Sequence, residues 1–338
     1  MTVQNMTEQA RISCGIPKKI AMINDIAGYG RCSTTVSLPI ISAMGVQVCP
    51  VPTSVFSNHT GFPVHFMHDC TPILPQYLEK WQELELTFDG IYCGFLGSVE
   101  QIGIVRDFLV SQIEIQESKA LSARPAVILD PVMGDHGKAY RTVTPEHCAQ
   151  MKELLSLADI ITPNITEACL LADIPYRESG WTAEELTALA DRLHTMGPDR
   201  IVITGMQEQE DFINFISCNS GAAAADENAA KAGRFHSCCR MHAAGESRPG
   251  TGDIFASIIA ADAVNGVPFP ASVEKAAAFV RTCTKASSEP VSYTHLSGCL
   301  TLYKWYKFPP SCFSQILPDS APAPEMCIRD RPRSDPHS

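Results

Sequence analysis

Long apolar runs are absent from this sequence. No stretch approaches the roughly 20 uninterrupted apolar residues that a membrane-spanning helix requires. Residues 1–17 also lack the apolar core of a secretory signal peptide. We therefore expect a cytoplasmic protein with no membrane partner.

Positive charge is scarce as well. The chain has 26 lysine and arginine residues against 37 aspartate and glutamate residues, which gives a formal net charge of -11. A nucleic-acid-binding protein concentrates its basic residues on one face, and no such concentration exists here. We expect no nucleic-acid partner, and an anionic substrate would have to be held by a metal, backbone amides or a few basic side chains.

Three well-known catalytic signatures are missing. The sequence has no Gly-x-x-x-x-Gly-Lys-Ser/Thr phosphate loop and no Gly-x-Ser-x-Gly nucleophile elbow. The pair Gly28-x-Gly30 is too short for a dinucleotide-binding fingerprint. These absences count against a P-loop kinase, an α/β-hydrolase and a nicotinamide-dependent oxidoreductase.

Cysteine, in contrast, is plentiful. The 14 cysteines are spread over a long chain without the spacing of a disulfide framework, so we expect most of them to be reduced. His236, Cys238, Cys239 and His242 invite comparison with a zinc cluster. Adjacent cysteines cannot easily reach one tetrahedral ion, and we favour a loop that covers a phosphate.

From Lys19 onward, short apolar runs alternate with helical patterns. This rhythm predicts one α/β domain with a doubly wound, mostly parallel sheet flanked by helices. The predicted strands are Ile20–Asn24, Gln47–Val55, Gly90–Phe95, Ala126–Leu129, Ile160–Thr162 and Arg200–Thr204. A small edge hairpin is expected from Asp211–Ser217, followed by a polar connection at Ala222–Ala230.

The predicted domain spans residues 19–290. Residues 1–18 form an N-terminal extension, and residues 291–338 show neither helical nor strand periodicity. We expect that C-terminal segment to be disordered or non-native.

The strongest chemical signal is Gly250-Thr251-Gly252-Asp253, which directly precedes a helical apolar pattern. The glycines permit a tight turn, and a helix directs its free N–H groups and positive dipole end at whatever lies in front. This pattern indicates an anion site where Asp253 accepts a proton from a substrate hydroxyl while the amides hold a phosphoryl group. Taken alone, the segment could equally be a turn with Asp253 as a helix cap.

Two further carboxylates follow predicted strands. Asp130 comes directly after one apolar strand, and Glu167 comes shortly after the next. Because the carboxyl ends of parallel strands share one sheet edge, we expect both near the Asp253 segment. Such carboxylates suit a Mg²⁺ that bridges nucleotide phosphates, although singly Asp130 could be a turn residue and Glu167 a helix-dipole partner.

The order of the motifs resembles the pyridoxal kinase family of the ribokinase-like superfamily. The resemblance covers roughly residues 19–290. The shared motifs are Asn24-Asp25-x-x-Gly28-Tyr29-Gly30, Phe56-Ser57-Asn58-His59-Thr60, Gly94-Phe95-Leu96-Gly97-Ser98, Asp130-Pro131-Val132-Met133-Gly134, Thr162-Pro163-Asn164 and Gly250-Thr251-Gly252-Asp253. The last is typical of the whole superfamily, whereas the second and fourth are typical of vitamin B6 kinases.

This resemblance implies a ribokinase-like fold and an enzyme that uses ATP and Mg²⁺ to phosphorylate the 5′-hydroxymethyl group of pyridoxal, pyridoxamine or pyridoxine. It implies that Asp253 is the catalytic base and that Gly250 and Gly252 form an anion hole. The other matched positions are the substrate contacts Asp25, Thr53 and Phe95, the nucleotide contacts Thr162, Asn164, Thr204 and Thr251, and the metal-region carboxylates Asp130 and Glu167. We also expect a homodimer.

The chain departs from many relatives at two of these positions. They have Ser where Asp25 stands and Tyr where Phe95 stands. One alternative function is that of another ribokinase-like enzyme, such as a hydroxymethylpyrimidine kinase or a sugar kinase. Hydroxymethylpyrimidine kinases generally carry Cys at the position of Asp253. The other alternative is a non-catalytic protein that binds the vitamer.

Overall fold

The computed structural model describes residues 17–118, 124–219, 234–243 and 249–287. The strands are β1 (Lys19–Tyr29), β2 (Gln47–Asn58), β3 (Met67–Asp69), β4 (Gly90–Cys93), β5 (Ala126–Leu129), β6 (Gly134–Asp135), β7 (Lys138–Ala139), β8 (Ile160–Ile161), β9 (Arg200–Glu208), β10 (Asp211–Cys218) and β11 (Phe235–His242). The helices are α1 (Thr34–Ala43), α2 (Leu74–Glu83), α3 (Val99–Ser118), α4 (Pro145–Leu155), α5 (Ile165–Ala172), α6 (Ala183–His194), α7 (Thr251–Asn265) and α8 (Phe269–Ser287).

The described strands form one large sheet in the order β11-β10-β9-β8-β5-β4-β1-β2-β3, with β6 and β7 as a separate ribbon. The central strands from β9 to β2 run parallel. Antiparallel strands lie at both edges, with β10 and β11 at one and β3 at the other. The predicted doubly wound sheet with an edge hairpin is confirmed.

Side chains of β1 show why the sheet is covered on both faces. Ile20 and Met22 pack into the core that includes residues of α1, α7 and α8, whereas Ala21 and Ile23 pack into the opposite core with residues of α2 to α6. All four are fully buried. Parallel strands with two buried faces carry continuous apolar runs rather than an alternating pattern, which is what the sequence of β1 shows.

The first two strands are longer than predicted. β1 continues past Asn24 to Tyr29, and β2 continues past Val55 to Asn58. The two strands keep pairing beyond a bulge between Asn24 and Ile26, and β3 then pairs with the far part of β2. This extension places the carboxyl end of β1 beside the edge where α7 begins.

One predicted loop is wrong. The segment containing His236, Cys238, Cys239 and His242 is the edge strand β11, which pairs with β10 along its whole length. Its conformation follows from that pairing, with Cys239 buried against the sheet and the ring of His236 stacked on Phe215.

Three predicted segments lie outside the described residues: the connection at Ala222–Ala230, residues 1–16 of the extension and the segment 291–338. In the described part of the chain, no helix is both long and apolar enough to cross a bilayer.

A buried ion pair joins α7 to α8. The Lys275 ammonium lies 2.8 Å from Asp262 Oδ1, and the Asp262 side chain is 2% exposed while that of Lys275 is 27% exposed. We predict that Lys275→Met lowers the free energy of unfolding by about 2–4 kcal/mol, because the substitution leaves a buried carboxylate without its counter-charge. Urea unfolding followed by circular dichroism measures this loss.

The matched control is Lys80→Met. Lys80 and its partner Glu83 are 61% and 54% exposed, so the control should change stability by no more than about 0.5 kcal/mol. An equal loss in the two variants would contradict a structural role for the buried pair.

Candidate active site

The predicted site residues meet where α7 begins, at the carboxyl edge of the sheet. Asp25 lies within β1 opposite a bulge in β2, Asp130 follows β5 directly, and Asp253 lies in the first turn of α7. Asp253 acts electrostatically on both of the other carboxyl groups. The structure therefore brings together acidic residues that are up to 228 positions apart in the chain.

Gly250 determines how α7 reaches this edge. It caps the helix with a left-handed φ of 88°, a conformation that side chains with a Cβ adopt at a cost. A Cβ at Gly250 would overlap the backbone carbonyl of Arg31, just beyond β1, whereas a Cβ at Gly252 would meet no atom within 4 Å. Gly250 thus allows close packing on β1, and Gly252 leaves space in front of the helix where an anion can approach the amides.

Asp253 is half-buried in the first turn of α7. Desolvation raises the pKa of its carboxyl, and the nearby Ser33 backbone N–H and Asn24 side-chain amide oppose that rise. A carboxyl whose pKa is raised accepts a proton more readily, and a general base works best with its pKa near the working pH. The surroundings therefore suit Asp253 to proton abstraction.

Asn24 and Ser33 are site residues that the sequence reasoning did not select. The Asn24 side chain is 1% exposed, and its Oδ1 accepts the backbone N–H groups of Asp25 (3.0 Å) and Phe95 (2.9 Å). Ser33 has a φ of 53°, and its hydroxyl hydrogen-bonds with Asp25. A polar residue at the end of an apolar strand could have indicated Asn24, but no sequence signal predicts a positive φ at a serine.

Asp25 is 6% exposed. The pKa of its carboxyl is raised to about 7. Burial is the largest cause of this rise, the Ser33 hydrogen bond opposes it, and the Asp253 charge adds to it. The same two carboxylates, together with burial, hold the pKa of the neighbouring Cys32 thiol far above its usual range. The Asp25 carboxyl is therefore close to losing its proton at neutral pH.

Thr53 and Phe95, the other predicted substrate contacts, lie next to Asp25. The Thr53 hydroxyl donates to the Phe95 carbonyl at 2.9 Å, and Gln101, which is buried, donates to the Thr53 carbonyl at 2.9 Å. The half-buried Phe95 ring meets Phe56 edge-on, with 6.1 Å between centroids. These contacts hold the strand ends of β2 and β4 around one side of the site.

Asp130 and Glu167 are two buried carboxyl groups whose charges interact. Asp130 Oδ1 accepts the Thr162 hydroxyl at 3.2 Å. Burial raises the pKa of Asp130 and the Asp253 charge adds to the rise; burial and the Asp130 charge likewise raise the pKa of Glu167. Additional positive charge would therefore stabilise the ionised forms of both groups.

Glu167 also accepts hydrogen bonds that hold the local backbone in place. Its Oε2 accepts the backbone N–H of Asn164 at 2.8 Å while Asn164 Oδ1 accepts the Glu167 N–H at 2.9 Å, which is a capping box for α5. Its Oε1 accepts the Met133 N–H at 3.1 Å. The alternative role considered for Glu167, a partner of the helix dipole, agrees with its place in the first turn of α5, and its contacts fix the loop after β5.

The predicted nucleotide contacts divide into two groups. Thr162, Thr204 and Thr251 line one open cleft of about 830 Å³ beside Gly252, together with apolar side chains such as Phe212, Met241 and Val280. Asn164 does not line this cleft. It pairs with Thr204 in an isolated parallel bridge and donates to the Gly134 carbonyl at 2.8 Å. No three histidine, cysteine or acidic side chains in the described ranges converge as a metal-binding group.

Comparison with known proteins adds to this geometry. The family described as phosphomethylpyrimidine kinase matches residues 38–297. The pyridoxal kinase of Bos taurus is 31% identical over 249 residues, which cover 70% of this chain and 73% of that protein. The pyridoxal kinase of Homo sapiens is 34% identical over 188 residues, which cover 53% of this chain and 55% of that protein.

Solved structures show the same likeness. A candidate phosphomethylpyrimidine kinase from Bacteroides thetaiotaomicron, in a crystal form with pyridoxal, is 34% identical with a TM-score of 0.71 over 86% of this chain and 96% of that one. A pyridoxal kinase from Leishmania donovani in complex with ADP and ginkgotoxin is 21% identical, with a TM-score of 0.73 over 83% of this chain and 92% of that one. The second likeness establishes the fold.

The two glycines at the start of α7 should respond differently to alanine. Gly250→Ala should destabilise the protein by at least about 1–3 kcal/mol, because the new methyl group meets the Arg31 carbonyl and the backbone is left-handed. Gly252→Ala should leave the melting temperature within a few degrees but weaken ATP binding roughly tenfold or more, since the methyl group occupies the approach to the amides.

Thermal unfolding and calorimetric titration with ATP measure the two effects. Each glycine variant is the control for the other. Unchanged ATP affinity in Gly252→Ala, with the fold intact, would contradict an anion site at this helix end.

Proposed function

Because the chain belongs to the phosphomethylpyrimidine kinase family and, within it, to the pyridoxal kinases, we propose that it transfers the γ-phosphoryl group of ATP to the 5′-hydroxymethyl group of a vitamin B6 vitamer. The observation that carries the proposal is the position of Asp253. It lies at the N-terminus of α7, beside Asn24 and within the electrostatic reach of Asp25 in β1.

In the proposed reaction Asp253 accepts the proton of the vitamer hydroxymethyl group as its oxygen attacks the γ-phosphorus. The amides from Gly250 to Asp253 stabilise the charge that develops on the transferring phosphoryl oxygens. Ser33 and Asn24 orient the Asp253 carboxylate. Proton abstraction and phosphoryl stabilisation therefore come from one helix turn, which fixes their relative geometry.

The nucleotide is proposed to lie in the cleft lined by Thr162, Thr204 and Thr251. Its apolar side chains suit a purine base, and its inner end reaches Gly252. Asn164 acts on this side by holding the loop after β5 through the Gly134 carbonyl. Asp25, Thr53 and Phe95 are proposed to hold the vitamer on the other side of Asp253.

Asp130 and Glu167 are proposed to take part in binding Mg²⁺. Mg²⁺ takes hard oxygen ligands, usually one or two carboxylates with waters and phosphates, and Asp130 is a buried carboxylate whose ionised form needs added positive charge. Bound Mg²⁺ would neutralise charge on the nucleotide phosphates. Because both Glu167 oxygens already accept backbone N–H groups, Glu167 would act by holding the Met133 loop and adding negative charge.

A second copy of the chain is the proposed partner, and the cytoplasm, where ATP is supplied, is the proposed location. The connection between β2 and β3 carries exposed apolar side chains, with Val64 at 80% and Phe66 at 65% exposure. Exposed apolar groups clustered in this way are typical of interaction surfaces. Sedimentation of the full chain with a Phe66→Glu variant tests whether this surface forms the dimer.

Phosphorylation of a hydroxymethylpyrimidine is the second candidate function, because the matching family carries that description. Asp253 stands where hydroxymethylpyrimidine kinases generally have Cys, which favours the vitamer. A panel of pyridoxal, pyridoxamine, pyridoxine and hydroxymethylpyrimidine, read as ADP formation, separates the two functions and also tests for non-catalytic binding.

We predict that Asp253→Asn lowers kcat for the preferred vitamer by roughly 10²- to 10⁴-fold, the usual contribution of a positioned general base. Vitamer affinity and melting temperature should change little, because the amide has nearly the same shape. The matched control is Asp107→Asn on α3, a side chain that is 74% exposed. Undiminished turnover in Asp253→Asn would rule out the base.

Activity should require Mg²⁺. Phosphorylation in metal-free buffer should fall to near background and return when MgCl₂ is added. Asp130→Asn should raise the Mg²⁺ concentration needed for half-maximal activity by roughly tenfold or more, the scale of losses seen when groups around a metal are removed. Full activity after thorough EDTA treatment would refute the requirement.

A further inference from the structure

Asp25 occupies an unusual place in β1. The pairing of β1 with β2 shifts register between Asn24 and Ile26, so Asp25 alone stands opposite both Thr53 and Ser54, and the extra residue of the bulge lies in β2. Bulges are common next to active sites, where they change the direction of side chains. The residue that faces this bulge is acidic, 6% exposed and close enough to Asp253 for the two charges to interact.

Among the described residues, those that act on the Asp25 carboxyl include hydrogen-bond donors but no counter-charge. In the described part of the chain, the groups that act on its carboxyl are the Ser33 hydroxyl, a backbone amide and the Asp253 carboxylate. The Cys32 thiol lies beside both carboxyl groups. A buried carboxylate without a cation is costly, and a second carboxylate nearby adds to the cost.

We propose that Asp25 determines substrate specificity by binding the ammonium group of an amine-bearing vitamer, so that the enzyme favours pyridoxamine over pyridoxine. This inference rests on the proposed function. It deepens that function by assigning the missing counter-charge to the substrate. Asp25 is then a binding residue beside the base Asp253, and it takes no part in the phosphoryl transfer itself.

The preference follows from the charges. An alkyl ammonium group keeps its proton at pH 8 and forms a charge-assisted hydrogen bond with a carboxylate, roughly twice as strong as a neutral one. The same cation favours the ionised form of Asp253, which must accept a proton. Pyridoxine has a hydroxyl group in place of the ammonium group of pyridoxamine. It therefore leaves Asp25 either protonated or ionised without a counter-charge, and its contact with Asp25 contributes much less binding free energy.

The test compares Asp25→Asn with the wild-type enzyme at pH 8 and saturating Mg²⁺ and ATP, measuring kcat and KM for pyridoxamine and for pyridoxine. We expect kcat/KM for pyridoxamine to fall roughly 10- to 100-fold, mainly through KM, because a buried charge-assisted contact is lost. For pyridoxine the fall in kcat/KM should be roughly tenfold smaller, because that vitamer loses only a neutral contact with Asp25. Asp25→Ser, the residue found in many relatives, should show the same loss of preference.

Controls separate this result from a general loss of structure. Asp107→Asn should leave both vitamers unaffected. Since burial raises the pKa of Asp25, its ionisation destabilises the fold at pH 8, so Asp25→Asn should melt no lower than the wild type. Equal losses for pyridoxamine and pyridoxine, or a greater loss for pyridoxine, would overturn the inference. Failure of the proposed function would look different, because the wild type would then phosphorylate no vitamer.

Discussion

The active site depends on the contact between Gly250 and the Arg31 carbonyl. Because Gly250 has no Cβ and a left-handed backbone, the first turn of α7 packs directly on the chain that leaves β1. That packing brings Asp253 to the Ser33 N–H and the Asn24 side chain. A helix set back by the width of one methyl group would weaken these interactions, and its amides would point to a different place.

The second constraint is electrostatic. Asp25, Asp130, Asp253 and Glu167 are buried or half-buried at one sheet edge, and burial is the largest cause of the raised pKa of each. This arrangement costs folding free energy, and bound cations would offset that cost. In our proposals Mg²⁺ supplies positive charge on the side of Asp130, and an amine-bearing vitamer supplies it on the side of Asp25.

Particular elements show where the sequence reasoning worked. The parallel central strands were predicted because each is a short apolar run followed by a helix, and the first turn of α7 was predicted because two glycines precede an apolar helical pattern. The loop predicted for His236 to His242 was wrong because this edge strand, Phe235–His242, contains no continuous apolar run that would mark it as a strand. Its conformation comes from pairing with β10, which local sequence does not report.

The sequence by itself determined the α/β class, the strand-end positions of Asp130 and Glu167, and the helix-start position of Asp253, since these depend on local periodicity and on glycine. Packing of the whole chain was needed to place Asp25 opposite the bulge of β2 and beside Asp253, to give Ser33 a positive φ near both carboxyl groups, and to complete the capping box of Glu167. Local residue preferences govern the first set. The second set depends on burial and on contacts between strands and helices far apart in the chain, where the loss of water sets each pKa.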